Sequence, residues 1–473
     1  MAEVKEREVV GTKREFAIFL AIIIASGFLL YFLLKDTRQI LAATVFLATV
    51  VGTLMFWPFR VAIAFLGMVL LLVTRTIDLS HSIEFMNLDV IIFLVGMMVI
   101  LGLLKQSGFF RWILIKGLKF SRFQPRRLMT IILILAAVMA ALVDEVTSIL
   151  FIATLVLDLC DYFEVNPVNY IISVVLATNL GSSWTVLGNP VGILIALRSG
   201  LTFGDFLRWA LPVGVSSLIC LIFIVLIWQR KDLSLLQAKA NAKLANNKTG
   251  FLDEWAAVED KRLFVGSVAL FVGVIIFLAF HSQLEFLLGL QHNTLLVVGS
   301  VGGAGIAMLW QRHQARDYIQ RDVDWWSLVF FMFLFGNAGC LKYVGLTDIV
   351  SDSLLNLSSG GGVPLLTILV LWISGFTSAV MDNVVVVASF VPVLQSLTAH
   401  LGSSASVLWW ALLFGGCYGG NMTMMGSTAN IVALGILEKR SGYHMSFGYW
   451  IKIGLLASLI PMAIGTLALI IFG

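Results

Sequence analysis

Long apolar runs alternate with short polar segments along most of the chain. A membrane span needs about 20 apolar residues. Runs that approach or exceed this length lie at about 16–34, 39–57, 59–74, 88–105, 167–198, 206–229, 263–281, 293–310, 325–341, 405–437 and 447–472. This pattern predicts eleven transmembrane helices in an all-α polytopic membrane protein.

Two further apolar stretches are interrupted at their centres by acidic and amide side chains. Asp144 and Glu145 break the stretch 128–160, and Asp382 and Asn383 break the stretch 364–398. An acid is costly at the centre of a bilayer, so each break predicts a turn rather than a continuous crossing. We therefore expect two re-entrant hairpins, with tips near residues 144 and 382.

Basic residues predict the orientation of the chain. Seven Lys or Arg and no acid lie between Lys105 and Arg127, and seven basic residues lie in the polar segment 230–262. Cytosolic loops carry such an excess, and both segments are cytosolic only if 128–160 turns back. The first apolar run is long enough to be a retained helix. These features predict a multi-pass protein of the cell membrane with a cytosolic N-terminus, and an interface-lying helix within 105–127.

The scarce polar and glycine residues of the two halves match at an offset of 238 positions. The matches are Asp144 with Asp382, Gly181 with Gly419, Thr185 with Thr423, Gly188 with Gly426 and Ile193 with Ile431. The segment 105–127 is basic but its counterpart 342–363 has one Lys, which indicates that the copies have opposite topology. The predicted organisation is a tail and first span (1–38), a first inverted repeat (39–229), a cytosolic linker (230–262) and a second inverted repeat (263–473).

Composition agrees with the pattern and excludes other classes. The chain of 473 residues is 59% hydrophobic and 12% charged, with a net charge of +4. No basic domain suggests a nucleic-acid partner, so the expected surroundings are the lipid bilayer. The four cysteines lack C-x-x-C spacing, and no nucleophile or metal motif indicates an enzyme or a cofactor.

The predicted broken helices contain the motifs GSSWTVLGNPVG (181–192) and GNMTMMGSTAN (420–430). Irregular backbone at membrane depth is tolerated where it lines a protein or water-filled site. Close packing of small residues is the alternative interpretation. Together with the hairpin tips, the candidate substrate- or ion-binding residues are Asp144, Glu145, Thr147, Ser148, Thr178, Asn179, Gly181, Ser182, Ser183, Thr185, Gly188, Asn189, Pro190, Asp382, Asn383, Gly419, Gly420, Asn421, Thr423, Gly426, Ser427, Thr428 and Asn430.

The acids at the hairpin tips are the strongest of these candidates. An intramembrane carboxylate is rarely idle, although capping of the following helix is an alternative role. No Lys or Arg lies near either tip in the sequence, so neutralisation by H⁺ or by a bound Na⁺ at Asp144 and Asp382 is expected. Asp144 is favoured over Glu145 because it alone is matched by an acid in the second repeat.

The tip Asp382-Asn383 followed by GGNMTMMGSTANIVALGILEKRSGYHMSF (419–447) resembles the ion transporter superfamily, as does LVDEVTSILF with NLGSSWTVLGNPVGILIA in the first half. The similarity is greatest to the branch with a citrate-transporter-like domain that holds arsenite permeases, type D sodium–proton antiporters and the melanosomal P protein. The resemblance implies a homodimer with a scaffold domain, an elevator-type transport domain and a substrate site between tips and broken helices.

The leading functional hypothesis is a secondary active transporter of a small inorganic ion or a metalloid oxyanion such as arsenite, coupled to H⁺ or Na⁺. The alternative is a Na⁺/H⁺ antiporter that uses the same acids. Sodium-coupled dicarboxylate relatives carry Ser-Asn-Thr at both tips, whereas the acids here would repel a dianion. A di- or tricarboxylate symporter and a passive anion channel are therefore less favoured.

Overall fold

The computed structural model describes residues 13–121, 124–245, 255, 258–358 and 360–472, and this described part forms helices without a β-strand. The first half contains α1 (Lys13–Leu33), α2 (Thr37–Met55), α3 (Arg60–Val73), α4 (Leu79–Glu84), α5 (Leu88–Gln106), α6 (Phe109–Phe120), α7 (Pro125–Leu142), α8 (Glu145–Phe163), α9 (Val168–Gly181), α10 (Pro190–Ser199), α11 (Phe203–Asp205), α12 (Leu211–Trp228) and α13 (Arg230–Ala245). The second half contains α14 (Lys261–Ala279), α15 (His281–Leu288), α16 (Thr294–Trp310), α17 (Ala315–Asp317), α18 (Trp325–Tyr343), α19 (Leu346–Ser358), α20 (Gly362–Val380), α21 (Asn383–Leu401), α22 (Val407–Gly419), α23 (Thr428–Ser441) and α24 (Phe447–Phe472).

Eleven helical stretches of the described chain are long and apolar enough to cross a membrane. Eleven spans were also predicted from the sequence, but the two sets of eleven contain different segments. The hairpin arms α7, α8, α20 and α21 qualify, whereas α3 and α16 are shorter apolar helices. The runs predicted at 167–198 and 405–437 are each two short helices, α9 with α10 and α22 with α23, as expected for broken helices. Their glycine and polar residues interrupt the helix where an unbroken apolar run would continue it.

Two compact units divide the chain, and they cut across the predicted repeats. Unit 1 consists of residues 1–91, 324–356 and 392–397. It contains α2, α3 and α18, which pack around Ala42, Leu71, Ile77 and Cys340. Unit 2 consists of residues 92–323, 357–391 and 398–473, and contains the hairpin tips and broken helices of both repeats. All contacts described below lie within unit 2.

In unit 2 each hairpin packs against the broken helix that follows it. α7 contacts α9, and α20 contacts α22. The chain folds back between α7 and α8. This is shown by the hydrogen bond from the Ser148 hydroxyl to the Ala136 carbonyl at 3.2 Å. In a continuous helix these residues would be about 18 Å apart at 1.5 Å per residue. The hairpin thus brings the acidic tip against the polar break of α9 and α10.

Helical structure extends into two segments that the sequence marks as polar. The predicted linker 230–262 begins as the helix α13, whose Asp232 Oδ2 accepts a hydrogen bond from Asn169 Nδ2 at 2.7 Å. Residues 246–254 and 256–257 of the linker lie outside the described residues, as does the tail 1–12. Within 105–127, α6 buries Phe110, Leu114 and Leu118 against the protein, and its location at a membrane interface stays a prediction.

Candidate functional site

Two short turns carry the acids of the hairpin tips. Asp144 precedes α8, and its carboxylate accepts a hydrogen bond from Thr147 N at 2.7 Å. Asp382 precedes α21, and its carboxylate accepts one from Val384 N at 3.0 Å. Each acid therefore caps a helix N-terminus, where backbone N–H groups have no partner within the helix. Capping, the alternative role considered from the sequence, is a property of both residues.

Glu145 and Asn383, the residues that follow these caps, contact each other. Asn383 Nδ2 lies 3.4 Å from Glu145 Oε1 and 3.3 Å from Glu145 Oε2. Asn189 Nδ2 lies 3.4 Å from Glu145 Oε2. Glu145 is 2% exposed and Asn383 is fully buried. Among the described residues no Lys, Arg or His contacts the Glu145 carboxylate, and its neutral hydrogen-bonding partners are the amides of Asn383 and Asn189 and the hydroxyl of Ser182.

The first broken helix ends at Gly181 and resumes at Pro190, and the second ends at Gly419 and resumes at Thr428. The residue before each resumption caps the new helix. Asn189 Oδ1 accepts from Gly192 N at 2.9 Å, and Ser427 Oγ accepts from Ala429 N at 3.1 Å. Pro190 occupies the first turn of α10, where a missing N–H costs no hydrogen bond.

Glycine is required at both breaks by close backbone approach. A Cβ on Gly181 would collide with the backbone of Ala137 in α7, and a Cβ on Gly419 would collide with the backbone of Gly375 in α20. The two partners are themselves 238 residues apart. These glycines let each hairpin arm lie directly against its broken helix.

Two threonines fasten the broken segments to the hairpins. Thr185 Oγ1 donates to the carbonyl of Ala141, and Thr423 Oγ1 donates to the carbonyl of Ala379. The same hydroxyls accept from the backbone N–H groups two residues later, at 3.1 Å from Leu187 N and at 3.2 Å from Met425 N. The hydroxyls satisfy backbone groups at the ends of α7 and α20 that helical bonding leaves open.

A cluster of amides connects the two breaks. Asn179 Nδ2 donates to Asn421 Oδ1 and to Asn430 Oδ1, both at 2.8 Å, and Asn179 Oδ1 accepts from Ser427 Oγ at 3.1 Å. Asn430 Nδ2 in turn donates to the carbonyls of Gly420 and Thr423, each at 2.9 Å. All four side chains are fully buried. A buried network in which each member is bonded fixes the relative position of the two breaks.

Contacts across the centre recur in reciprocal pairs at the 238-residue offset. Glu145 touches its own counterpart, Asn383. Asn189 Nδ2 lies 3.3 Å from Cys417 Sγ, and the counterparts of these two residues, Ser427 and Asn179, form the hydrogen bond described above. When residue i of one copy contacts j of the other and j contacts i in return, a two-fold axis relates the copies. A local pseudo-two-fold axis therefore passes through the centre, between the hairpin tips and the breaks.

Four helix N-termini meet at this centre, those of α8, α10, α21 and α23. Each N-terminus carries a partial positive charge. Asp382, which is 2% exposed, also accepts a hydrogen bond from Thr428 Oγ1 at 2.6 Å, and its charge repels that of Glu145. Asn383 Oδ1 is buried without a hydrogen-bond donor. The centre thus combines groups that attract anions with oxygen ligands for a cation.

The described residues hold no group of three His, Cys, Asp or Glu side chains suited to a transition metal. The oxygen atoms of Asp382, Thr428 and Asn383 are of the type that hard cations such as Na⁺ prefer.

The structure separates the candidate residues by what their side chains contact. Glu145, Asn179, Ser182, Ser183, Asn189, Asp382, Asn383, Asn421, Ser427, Thr428 and Asn430 bond across the centre or within it. Ser148 and Thr178 bond to backbone carbonyls of α7 and α9, away from the centre. Thr147 contributes its backbone N–H to the α8 cap, and its side chain is half-buried.

Tyr418 and Cys417 lie at the centre but were not predicted as site residues. Tyr418 Oη accepts a hydrogen bond from Ser183 Oγ at 3.2 Å, and Cys417 contacts Asn189. The only sequence signal for them is position, since Cys417 is the 238-offset counterpart of Asn179 and Tyr418 follows it. Their types, a lone cysteine and an aromatic ring in an apolar run, are common in membrane helices and point to no chemistry.

Helices that break at membrane depth around a buried polar centre are typical of transporters, and this chain is a polytopic helical membrane transporter. It belongs to the citrate transporter (CitMHS) family, whose family model matches residues 50–415. An uncharacterized transporter of Mycobacterium tuberculosis is 31% identical over 438 residues, which cover 91% of this chain and 98% of that protein. The human P protein is 25% identical over 513 residues, which cover 92% of this chain and 60% of the P protein.

Two solved transporters share the fold. The YdaH transporter of Alcanivorax borkumensis aligns with a TM-score of 0.51 at 16% identity, covering 80% of this chain and 84% of that one. MtrF of Neisseria gonorrhoeae, which is described within a class of antimetabolite efflux pumps, aligns with a TM-score of 0.53 at 11% identity, covering 86% and 84%. At such low identity the likeness extends to architecture alone.

Proposed function

We propose that the protein is a secondary active transporter that couples a small inorganic ion or metalloid oxyanion to H⁺ or Na⁺. Cargo and coupling ion would bind at the centre between the hairpin tips and the broken helices. The observation that carries this proposal is the convergence of four helix N-termini on two buried carboxylates, Glu145 and Asp382. Helix N-termini stabilise anions, and the same partial charges can serve either a carboxylate or an anionic cargo.

This competition supplies a physical basis for coupling. When Glu145 is ionised, the surrounding amides and helix N-termini stabilise its negative charge. A proton on Glu145 removes this charge, and a Na⁺ held by Asp382 and Thr428 offsets it. In both cases the N-termini become available to an anion. Binding of cation and anion would then favour each other, and by thermodynamic linkage this effect is reciprocal.

Glu145 fits the coupling role better than Asp144, the residue favoured by sequence. Asp144 is half-buried and caps its own helix through Thr147 N. Glu145 is 2% exposed and contacts the opposite tip. A change of charge on Glu145 therefore acts directly on the interface between the two hairpins, where a transporter must distinguish its loaded and empty states.

Unit 2 would be the moving part of an elevator-type mechanism, because it contains both tips and both broken helices, and unit 1 would belong to the scaffold. We further propose a homodimer in the cell membrane with a cytosolic N-terminus. The basic segments 105–127 and 230–262 support this orientation.

Proteoliposomes test the function directly. Purified protein is reconstituted under an imposed pH or Na⁺ gradient, and uptake of arsenite, phosphate, sulfate and citrate is measured. Asp382→Asn should abolish gradient-driven uptake, whereas Asp352→Asn, on the exposed surface of α19, should leave it unchanged. Equal gradient-driven uptake by wild type and Asp382→Asn would contradict the role of this carboxylate. Flux that never exceeds the gradient of the permeant ion would identify a channel instead.

A Na⁺/H⁺ antiporter is the second candidate. It is favoured by the Asp382 carboxylate with its Thr428 hydroxyl and by the buried Asn383 Oδ1, which is an oxygen without a donor. Dye-monitored pH exchange in vesicles, with Na⁺ added and no oxyanion present, separates the two functions. Proton release driven by Na⁺ alone would favour the antiporter, and its absence together with oxyanion uptake would favour the first proposal.

A further inference from the structure

A groove of about 860 Å³ lies between α6 and the first turns of α7, in unit 2. Lys116 and Lys119 line it from α6, and Arg126 and Arg127 line it from α7. Thr130 and Ile131 continue the α7 wall, and Phe120 stands at the rim. Four cations therefore face one concave surface, and none of its described lining residues is acidic.

The segment that forms the groove has a strong excess of positive charge. The sequence from Lys105 to Arg127 contains no Asp or Glu. Within the described ranges, Lys116, Arg126 and Arg127 form no ion pair. The Lys116 ammonium lies 4.4 Å from the centroid of the Trp112 ring, a cation–π contact that holds its position without removing its charge. A cluster of this kind attracts a multivalent anion.

The start of α7 adds to this field. Gln124 forms no side-chain cap hydrogen bond, and Pro125 opens the helix. The first N–H groups and the partial positive charge of the helix therefore point toward the end of the groove that Arg126 and Arg127 line. Phosphate oxygens are suitable partners for both backbone N–H groups and Arg side chains.

The groove also has two apolar lining residues, Phe120 and Ile131. Phe120 is 81% exposed, and Ile134, about one turn beyond Ile131 on α7, is 41% exposed. α6 connects α5 and α7, two helices of membrane-spanning length, and buries an apolar face. Charged side chains at one level and exposed apolar side chains further along a membrane helix match the two parts of a phospholipid, its phosphate and its acyl chains.

We infer that this groove binds the headgroup of an anionic phospholipid, with the acyl chains along the exposed face of α7. Basic pockets between membrane helices at the cytosolic surface bind such headgroups. A free phosphate would be held by the cations alone and would not require the apolar wall. The site is separate from the transport centre and does not depend on the cargo. α7 also packs against α9, so the bound lipid would support the hairpin that carries Asp144 and Glu145.

The test compares lipid retention and thermal stability in detergent. The wild type should retain phosphatidylglycerol in native mass spectrometry and melt at a higher temperature with phosphatidylglycerol than with phosphatidylcholine. The combined variant Lys116→Gln, Lys119→Gln, Arg126→Gln and Arg127→Gln should bind phosphatidylglycerol at least about tenfold more weakly. A matched control changes four exposed basic residues elsewhere to Gln, namely Arg230, Lys231, Arg312 and Arg316. It should bind as the wild type does.

Three results would overturn the inference. One is equal phosphatidylglycerol binding by the groove variant and the wild type. Another is equal loss in the groove variant and the control, which would indicate general surface charge. The third is release of the bound lipid by millimolar inorganic phosphate, which would identify a soluble-anion site. If the combined variant elutes as an aggregate, Lys116→Gln and Arg127→Gln are measured singly, and wild-type binding by both would reject the site.

Discussion

Glu145 and Asn383 hold equivalent positions in the two halves of the chain, 238 residues apart, and they contact each other through a carboxylate and an amide at 3.3 Å. Each follows an aspartate that caps its helix. The asymmetry of the pair, an acid facing an amide, gives one ionisable group at the contact instead of two. A single proton can therefore change the charge at the point where the hairpins meet.

Glu145→Gln should preserve the shape of this contact and remove its charge. We expect pH-driven uptake to fall by at least about fivefold, since coupling energies of this kind are 1–3 kcal/mol. The dependence of the remaining flux on external pH should flatten. Uptake in proteoliposomes across a pH series measures both effects. Glu438→Gln, at an exposed site near the end of α23, is the control and should retain the wild-type profile. A wild-type pH profile for Glu145→Gln would remove Glu145 from the coupling mechanism.

Asn383→Asp should place a second carboxylate against Glu145, because it replaces the donating Nδ2 with an acceptor oxygen. Two buried carboxylates in contact cannot both ionise without large cost. We expect a lower melting temperature than wild type at neutral pH and partial recovery as the pH falls, when the pair can share a proton. Asn383→Ala, which removes the amide alone, should lose about 1–3 kcal/mol and recover to a smaller extent at low pH, because Glu145 then loses a donor without facing a second carboxylate. If both variants show the same pH dependence, the proposed contact does not govern stability.

Asn179→Ala should weaken the contact between the two broken helices and lower the free energy of unfolding. It removes hydrogen bonds to Asn421, Asn430 and Ser427, and leaves buried polar atoms without partners. The expected loss is about 2–4 kcal/mol, from two or three net bonds of about 1 kcal/mol each and the cost of unsatisfied groups. Unfolding in a denaturing detergent, followed by circular dichroism, provides the measurement. Asn241→Ala, on the surface of α13, should change stability by less than about 0.5 kcal/mol. A similar effect at both positions would contradict a structural role for the amide cluster.

Gly181→Ala and Gly419→Ala should each destabilise the fold by about 1–3 kcal/mol or prevent its formation, because the new Cβ meets backbone atoms that cannot move aside. Gly273→Ala and Gly435→Ala are matched controls in helices, where nothing lies within 4 Å of a new Cβ. Those changes should be neutral or stabilise by about 0.5–1 kcal/mol, since alanine favours helix over glycine. The measurement is the melting temperature of each of the four variants. Equal melting temperatures in the two pairs would show that close backbone approach does not require glycine at positions 181 and 419.

Much of the architecture followed from periodicity and composition. Apolar length predicted the helices, and the scarce polar residues predicted where they break, since irregular backbone is rare in lipid. The 238-residue offset, read from a few glycines and hydroxyls, recurs in the contacts of Gly181 with Ala137 and of Gly419 with Gly375. The predicted runs at 59–74 and 293–310 form the apolar helices α3 and α16, which are shorter than the other candidate spans. Apolar length alone did not separate hairpin arms from spans, because α7 and α8 are themselves long enough to cross.

The sequence by itself determined a membrane chain of two matched halves, each with an acidic tip and a glycine-rich break, because side-chain hydrophobicity and residue type act locally and can be read along the chain. Only the tertiary structure decided that Glu145, rather than Asp144, faces the opposite tip, and that Asn179 joins Asn421, Asn430 and Ser427. Those outcomes depend on which side of a turn each side chain leaves and on how residues 238 or more apart pack. Asp144 and Glu145 are adjacent acids in the sequence, so no local pattern shows which of the two carboxylates contacts the opposite tip.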